Sequence, residues 1–173
     1  TLLVLGGSLG ARKINELISH NLETLLGMDI NVLWQTGKLY YDKLEEQFGA
    51  KQSEHFKLLP FIKNMDDAYA MDVVISRAGA GTISELAISR KATLLIPSPN
   101  VAEDHQTKNA TALVRKQAAL LFRESESNEV FLQQIEKLLK DSHKLGRNIE
   151  QFALPFAAED IAEEVLKMVK KNG

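Results

Sequence analysis

The 173-residue chain has no cysteine, only four prolines and 6% aromatic residues. The missing cysteines exclude disulfides, thiolate metal sites and cysteine nucleophiles together, and fit a reducing compartment. Neither sign of charge dominates. Lys and Arg number 21 against 23 Asp and Glu, for a net charge of −2. No global basic field therefore draws the chain to nucleic acid or to anionic lipid. No apolar run approaches the roughly 20 residues that a membrane-spanning helix needs. The chain opens on the apolar run Thr1-Leu2-Leu3-Val4-Leu5-Gly6-Gly7, with neither an initiator methionine nor a basic segment ahead of it. No signal peptide is expected, and the chain is expected to be a piece of something longer.

Hydrophobic residues make up 45% of the chain and charged residues 25%, the composition of a folded globular protein. Short apolar runs at Leu2–Leu5, Ile30–Trp34, Phe56–Leu59, Val73–Ile75, Thr93–Ile96 and Ala119–Phe122 predict strands. Between them, Ala11–Leu26, Leu39–Phe48, Thr82–Ser89 and Gln106–Lys116 place apolar residues three and four apart, as one-sided helices require. Three more helices are predicted near Asn128–Lys140, His143–Phe152 and Ala158–Lys170, with Gly146 and Pro155 as turn markers. Continuous apolar strands are buried on both faces, which implies a parallel sheet between helical layers. Residues 1–173 thus predict a single α/β domain, a Rossmann-like doubly wound parallel sheet with extra C-terminal helices. Ligands of such a fold bind beyond the carboxyl ends of the strands, so the loops that follow strands are the places to look.

Four loops are informative. Gly6-Gly7-Ser8-Leu9-Gly10-Ala11 joins the first strand to the first helix. Its glycines permit a tight turn and close approach to a ligand, and the helix start offers unpaired N–H groups to an anion. The glycine spacing matches neither G-x-G-x-x-G nor a Walker loop. A plain turn capped by Ser8 is the competing reading. Ser76-Arg77-Ala78-Gly79-Ala80-Gly81-Thr82-Ile83-Ser84-Glu85 is a second glycine-bearing turn. There Thr82 suits a diphosphate, and Glu85 either caps a helix or accepts from two vicinal ribose hydroxyls. Arg77 pairs with phosphate or with a neighbouring acid.

The third loop, Pro97 to Ala110, contains Glu103-Asp104-His105-Gln106. Adjacent residues rarely converge on one ion, so no metal is expected, and His105 with Gln106 suit sugar hydroxyls better. Asp104 is the candidate helix cap there. The fourth, Pro60-Phe61-Ile62-Lys63-Asn64-Met65, could flank a flat base or simply belong to the core. Asp66-Asp67 reads as a helix cap, and Gly37 with Lys38 as a turn or as part of the crevice wall. The remaining histidines, His20, His55 and His143, read as structural or solvated.

Together with Gln35-Thr36-Gly37, these motifs fall in an order that resembles the MurG-type N-acetylglucosaminyltransferases, across nearly the whole chain. That bacterial family transfers N-acetylglucosamine (GlcNAc) from UDP-GlcNAc to lipid I, giving lipid II for peptidoglycan. The resemblance implies one half of a two-domain GT-B enzyme, the C-terminal donor-binding domain. The lipid acceptor, the catalytic base and the membrane-contacting surface would belong to an N-terminal domain, with the whole enzyme peripheral to the cytoplasmic face of the inner membrane. The catalytic residues stay unassigned, no cofactor or metal is expected, and no Asp-x-Asp motif stands in a suitable loop.

The resemblance also implies roles for individual residues. Gly7, Ser8 and Gly10 would contact the diphosphate, with Ala80, Gly81 and Thr82 facing it from the second turn. The Ile62 backbone would read uracil, Glu85 would hold the ribose, and His105 and Gln106 the GlcNAc hydroxyls. Arg77 would sit near the nucleotide. Leu9 stands where many members carry Gln, and His105 where some carry Gln. A stand-alone donor subunit of a split transferase and a non-catalytic or epimerase-type UDP-sugar protein remain the alternatives.

Overall fold

The computed structural model describes residues 1–99 and 104–171. Six strands form one sheet: β1 (Leu2–Leu5), β2 (Val32–Gln35), β3 (Phe56–Leu59), β4 (Val73–Ser76), β5 (Ala92–Leu95) and β6 (Leu120–Leu121). Every pairing is parallel, in the order β3-β2-β1-β4-β5-β6. The helices are α1 (Arg12–Gly27), α2 (Tyr41–Phe48), α3 (Met65–Ala68), α4 (Ala80–Ile88), α5 (His105–Arg115), α6 (Asn128–Lys140), α7 (Ser142–Ile149) and α8 (Ala157–Lys171).

Alternate side chains of each strand enter separate cores, because successive Cβ atoms point to opposite faces of a sheet. Leu2, Val4, Val73 and Ile75 pack with Ile14 and Ile18 of α1 and with Phe131 and Ile135 of α6. Leu3, Leu5 and Val74 pack with Ile83 and Leu86 of α4 and Ala110 and Leu113 of α5. This two-sided burial explains why β1 and β4 are apolar along almost their whole length, and each fully buried Leu or Ile contributes about 1.5–3 kcal/mol. Edge strand β3 alternates instead, with Phe56 and Leu58 buried and Lys57 and Leu59 exposed.

Several local expectations fail for identifiable reasons. Gly146 does not mark a turn but lies inside α7, where a Cβ would stand 2.6 Å from the Arg90 carbonyl oxygen. A glycine is needed there so that α7 can approach the backbone ahead of β5. Asp66 and Asp67 fall within α3, not ahead of it; Asn64 occupies the cap position and donates to the Asp67 carboxylate at 2.6 Å. The first helix is capped in position by Ala11, with no side-chain capping bond, so Ser8 is not its cap. Pro155 does lie in a turn, and α8 follows it with Ile161, Val165 and Met168 all exposed.

One buried polar link fixes α1 to the end of β2. Asn15, 3% exposed, accepts from the Trp34 indole at 3.0 Å and donates to the Thr36 carbonyl at 2.9 Å. Truncation strands both groups in a dry interior, where an unmet donor or acceptor costs about 1–3 kcal/mol. Asn15→Ala is therefore expected to destabilise the fold by ~2–4 kcal/mol. Urea unfolding followed by Trp34 fluorescence measures this, and an unchanged midpoint would count against the link.

Candidate functional site

The strand order reverses between β1 and β4, which are neighbours with Leu5 opposite Ser76. Chain leaving β1 turns into α1 on one face of the sheet, and chain leaving β4 turns into α4 on the other. Two adjacent strands whose continuations part to opposite faces leave a crevice at their carboxyl ends. Both glycine-bearing turns open there. The first-turn N–H groups of α1 and α4 lack intrahelical partners and carry the positive ends of the helix dipoles.

Gly7 and Ser8 are exposed and Gly10 is partly so. Gly7 and Gly10 adopt φ of +77° and +95°, a left-handed region open mainly to glycine. Among the described residues the Ser8 hydroxyl has no intramolecular partner, while the Ser8 carbonyl accepts from the Lys38 amide at 3.3 Å. Gly37, at φ +81°, is buried against this loop: a Cβ there would fall 2.1 Å from the Gly10 Cα. Gly37 is thus a close-packing position and Lys38 the exposed residue beside it.

On α4, Ala80 and Gly81 are exposed, Thr82 partly so, and Glu85 exposed. Glu85 accepts from the Tyr69 hydroxyl at 2.8 Å. Burial, and then the hydrogen bond to Glu85, push the Tyr69 phenol well above its ordinary pKa, so it stays a donor at neutral pH. One carboxylate oxygen is thereby fixed while the group as a whole keeps acceptor capacity. Met65, Tyr69, Ala70, Glu85, Ile88 and Ser89 line a groove of about 470 Å³ between α3 and α4.

In the base loop, one of the two Ile62 backbone groups is already engaged. The Ile62 amide is already donated, at 3.0 Å, to the side-chain carbonyl of buried Gln35. A base would therefore meet the Ile62 carbonyl and not its N–H. Arg77 is also committed. Its guanidinium donates to the Ile96 carbonyl at 3.0 Å and to Glu124 at 2.6 Å, so it tethers the β4 exit to the loop after β6. Glu124 is thus the acid with which Arg77 pairs.

His105 and Gln106 begin α5. Gln106 accepts from the Ser98 amide at 2.9 Å, and Asn109 donates to the Ala78 carbonyl at 3.1 Å, which holds α5 against the second turn. Asp104 sits at the cap position in a left-handed conformation, φ +53°, and makes no side-chain capping bond. Asn100, Val101, Ala102 and Glu103 of this loop lie outside the described residues. The described parts of all four loops thus lie at the carboxyl end of the parallel sheet. Tyr69 and Gln35 were missed as functional candidates. Tyr69 carries no sequence signal, but Gln35 is a polar residue ending the otherwise apolar strand Val32-Leu33-Trp34.

A Rossmann-like sheet with its crevice at the switch point defines the general class. The sequence model of the glycosyltransferase family 28 C-terminal domain matches residues 1–165, and the chain belongs to this family. It is 49% identical, over 99% of its length, to the UDP-N-acetylglucosamine--N-acetylmuramyl-(pentapeptide) pyrophosphoryl-undecaprenol N-acetylglucosamine transferase of Flavobacterium psychrophilum. The protein of the same name from Cytophaga hutchinsonii is 50% identical over the same share. Each match covers 47% of the relative, so the chain spans about half the length of these curated relatives. The crystal structure of Acinetobacter baumannii MurG is similar with a TM-score of 0.84 and 30% identity, over 96% of this chain and 49% of that one. A kitacinnamycin glycotransferase, 16% identical with a TM-score of 0.69 over 87% of this chain and 37% of its own, shares the fold.

The glycines of the crevice separate into two kinds. Gly7→Ala meets nothing within 4 Å and should cost only the ~1–2 kcal/mol of a left-handed alanine. Gly37→Ala adds a clash with backbone to that strain and should cost ~2–4 kcal/mol. Chemical denaturation of both variants tests this; equal losses would refute the interlock.

Proposed function

We propose that this chain is the donor-binding half of an inverting, metal-independent glycosyltransferase that moves GlcNAc from UDP-GlcNAc to lipid I, giving lipid II. The observation that carries the reading is the crevice between β1 and β4, flanked by two glycine-bearing turns, with Glu85 exposed on the same helix as the second turn. Glycosyl transfer needs the leaving UDP stabilised as charge builds on its diphosphate. Two helix N-termini with the Ser8 and Thr82 hydroxyls supply that stabilisation from this chain's own groups.

In this reading Gly7, Ser8 and Gly10 face the diphosphate from one side, and Ala80, Gly81 and Thr82 from the other. Glu85, steadied by Tyr69, accepts from the ribose hydroxyls. The Ile62 carbonyl accepts from uracil N3–H, and His105 and Gln106 hold the sugar. Arg77 acts at one remove, by holding the second turn in place. The acceptor and the base that deprotonates it belong to the rest of the full-length protein, which works at the cytoplasmic membrane surface. The exposed apolar stripe Ile161, Val165 and Met168 of α8 fits a surface covered by that remainder. Among the described residues no helix is long and apolar enough to cross a membrane.

Calorimetry with UDP-GlcNAc, UDP, UDP-glucose and NAD tests the reading. UDP and UDP-GlcNAc are expected to bind; a response to NAD with none to UDP would overturn it. Glu85→Ala is expected to weaken UDP by ~1.5–3 kcal/mol, the range for hydrogen bonds to a charged group, without unfolding, since Glu85 is exposed. Undiminished affinity would remove the ribose role. Gln106→Ala should weaken UDP-GlcNAc more than UDP, and equal losses for both ligands would argue against a sugar contact.

A further inference from the structure

We infer that Gln35 is a positioning residue that sets the diphosphate loop and the base loop at a fixed spacing, so that one UDP can engage both. The inference rests on the donor-site reading above. Gln35 ends β2, the strand lying between β1 and β3, and is 4% exposed. Its side-chain N–H donates to the Gly7 carbonyl at 3.0 Å, and its side-chain oxygen accepts from the Ile62 amide at 3.0 Å. Its backbone carbonyl accepts from the Gly6 amide at 3.3 Å.

The orientation of this amide is chemically forced. Ile62 N–H can only donate, so the amide oxygen must face it; the Gly7 carbonyl can only accept, so the NH₂ must face that. One planar group therefore ties a loop from β1 to a loop from β3 across the intervening strand. Gly7 presents its carbonyl from a left-handed conformation, φ +77°. None of the other buried polar side chains described has this geometry. Asn15 joins a helix to a strand end, and Asn21 joins α1 to Asn128. A ligand that touches both loops benefits from their fixed spacing, whereas one that touches only the base loop does not. Preorganisation of this kind lowers the ordering cost of binding.

The test compares UDP, which spans both loops, with uridine, which reaches only the base and ribose side, by NMR titration of this chain. Gln35→Met keeps the volume and removes both side-chain hydrogen bonds. It is expected to raise the Kd for UDP about tenfold, as one or two net hydrogen bonds imply, and that for uridine less than about threefold. Unchanged UDP affinity would overturn the role, and so would equal losses for both ligands, which mark a merely structural residue. Gln35→Glu gives a second readout should the methionine variant not fold. At pH 8.5 its carboxylate opposes the Gly7 carbonyl and UDP binding falls. Burial beside the Gly7 carbonyl disfavours the charged form and raises this carboxyl's pKa. Toward pH 5 the acid form therefore again donates to Gly7 and accepts from Ile62, and binding recovers relative to wild type at the same pH. Failure to recover at pH 5 would contradict the bridge. Wild-type protein that binds neither uridine nor UDP would overturn the donor site itself.

Discussion

Parallel pairing of β1 with β4 is the constraint from which the rest follows. Between these two strands the winding direction changes, so the chain leaving each must pass to a different face of the sheet. Backbone cannot fill the gap that this parting leaves, and both loops end in helix N-termini whose first N–H groups lack partners inside the helix. An electropositive hollow built of main chain results without any cluster of lysines or arginines. In the proposed reading, this lets a chain of net charge −2 hold a diphosphate. Arg77, in the second turn, pairs with Glu124 and the Ile96 carbonyl. It tethers the β4 exit to the loop after β6.

Rigidity of the crevice comes from close approach more than from bulk. Gly10 and Gly37 occupy space that no side chain could share, and the amide of Gln35 reaches two loops at once. Asn109 does similar work on the other side, bonding the Ala78 carbonyl from α5. These are few contacts, but the hydrogen bonds among them are directional and at least partly buried. Directional bonds in low dielectric hold position better than apolar packing does. The loops are therefore fixed by the same interior that stabilises the sheet, and stability and ligand geometry are coupled.

Much of the architecture was legible in the sequence. Continuous apolar strands announced two-sided burial, and strand–helix alternation announced the parallel sheet. Asn128–Lys140 was placed to the residue because its amphipathic period is unbroken and Ser127 precedes it. Failures fell where a local signal has two meanings. Glycine marks either a turn or a close approach, and Gly146 proved to be the second because α7 crowds the Arg90 carbonyl. Aspartate before a helix suggests a cap, yet Asp66 and Asp67 lie inside α3, since Asn64 already takes the cap position. Short helices such as α3 carry too few residues to display a period at all.

Chain order and residue type by themselves determined the sheet, its two helical layers, the loops able to carry a ligand and the family to which the domain belongs. These depend on periodicity and on glycine placement, which are local in the chain. Partnerships between distant residues were decided only by the tertiary structure. Tyr69 meets Glu85, Arg77 turns to Glu124, and Gln35 claims the Ile62 amide. The physical reason is that a hydrogen bond is specified by distance and direction in space, and neither is encoded until the strands have been set side by side.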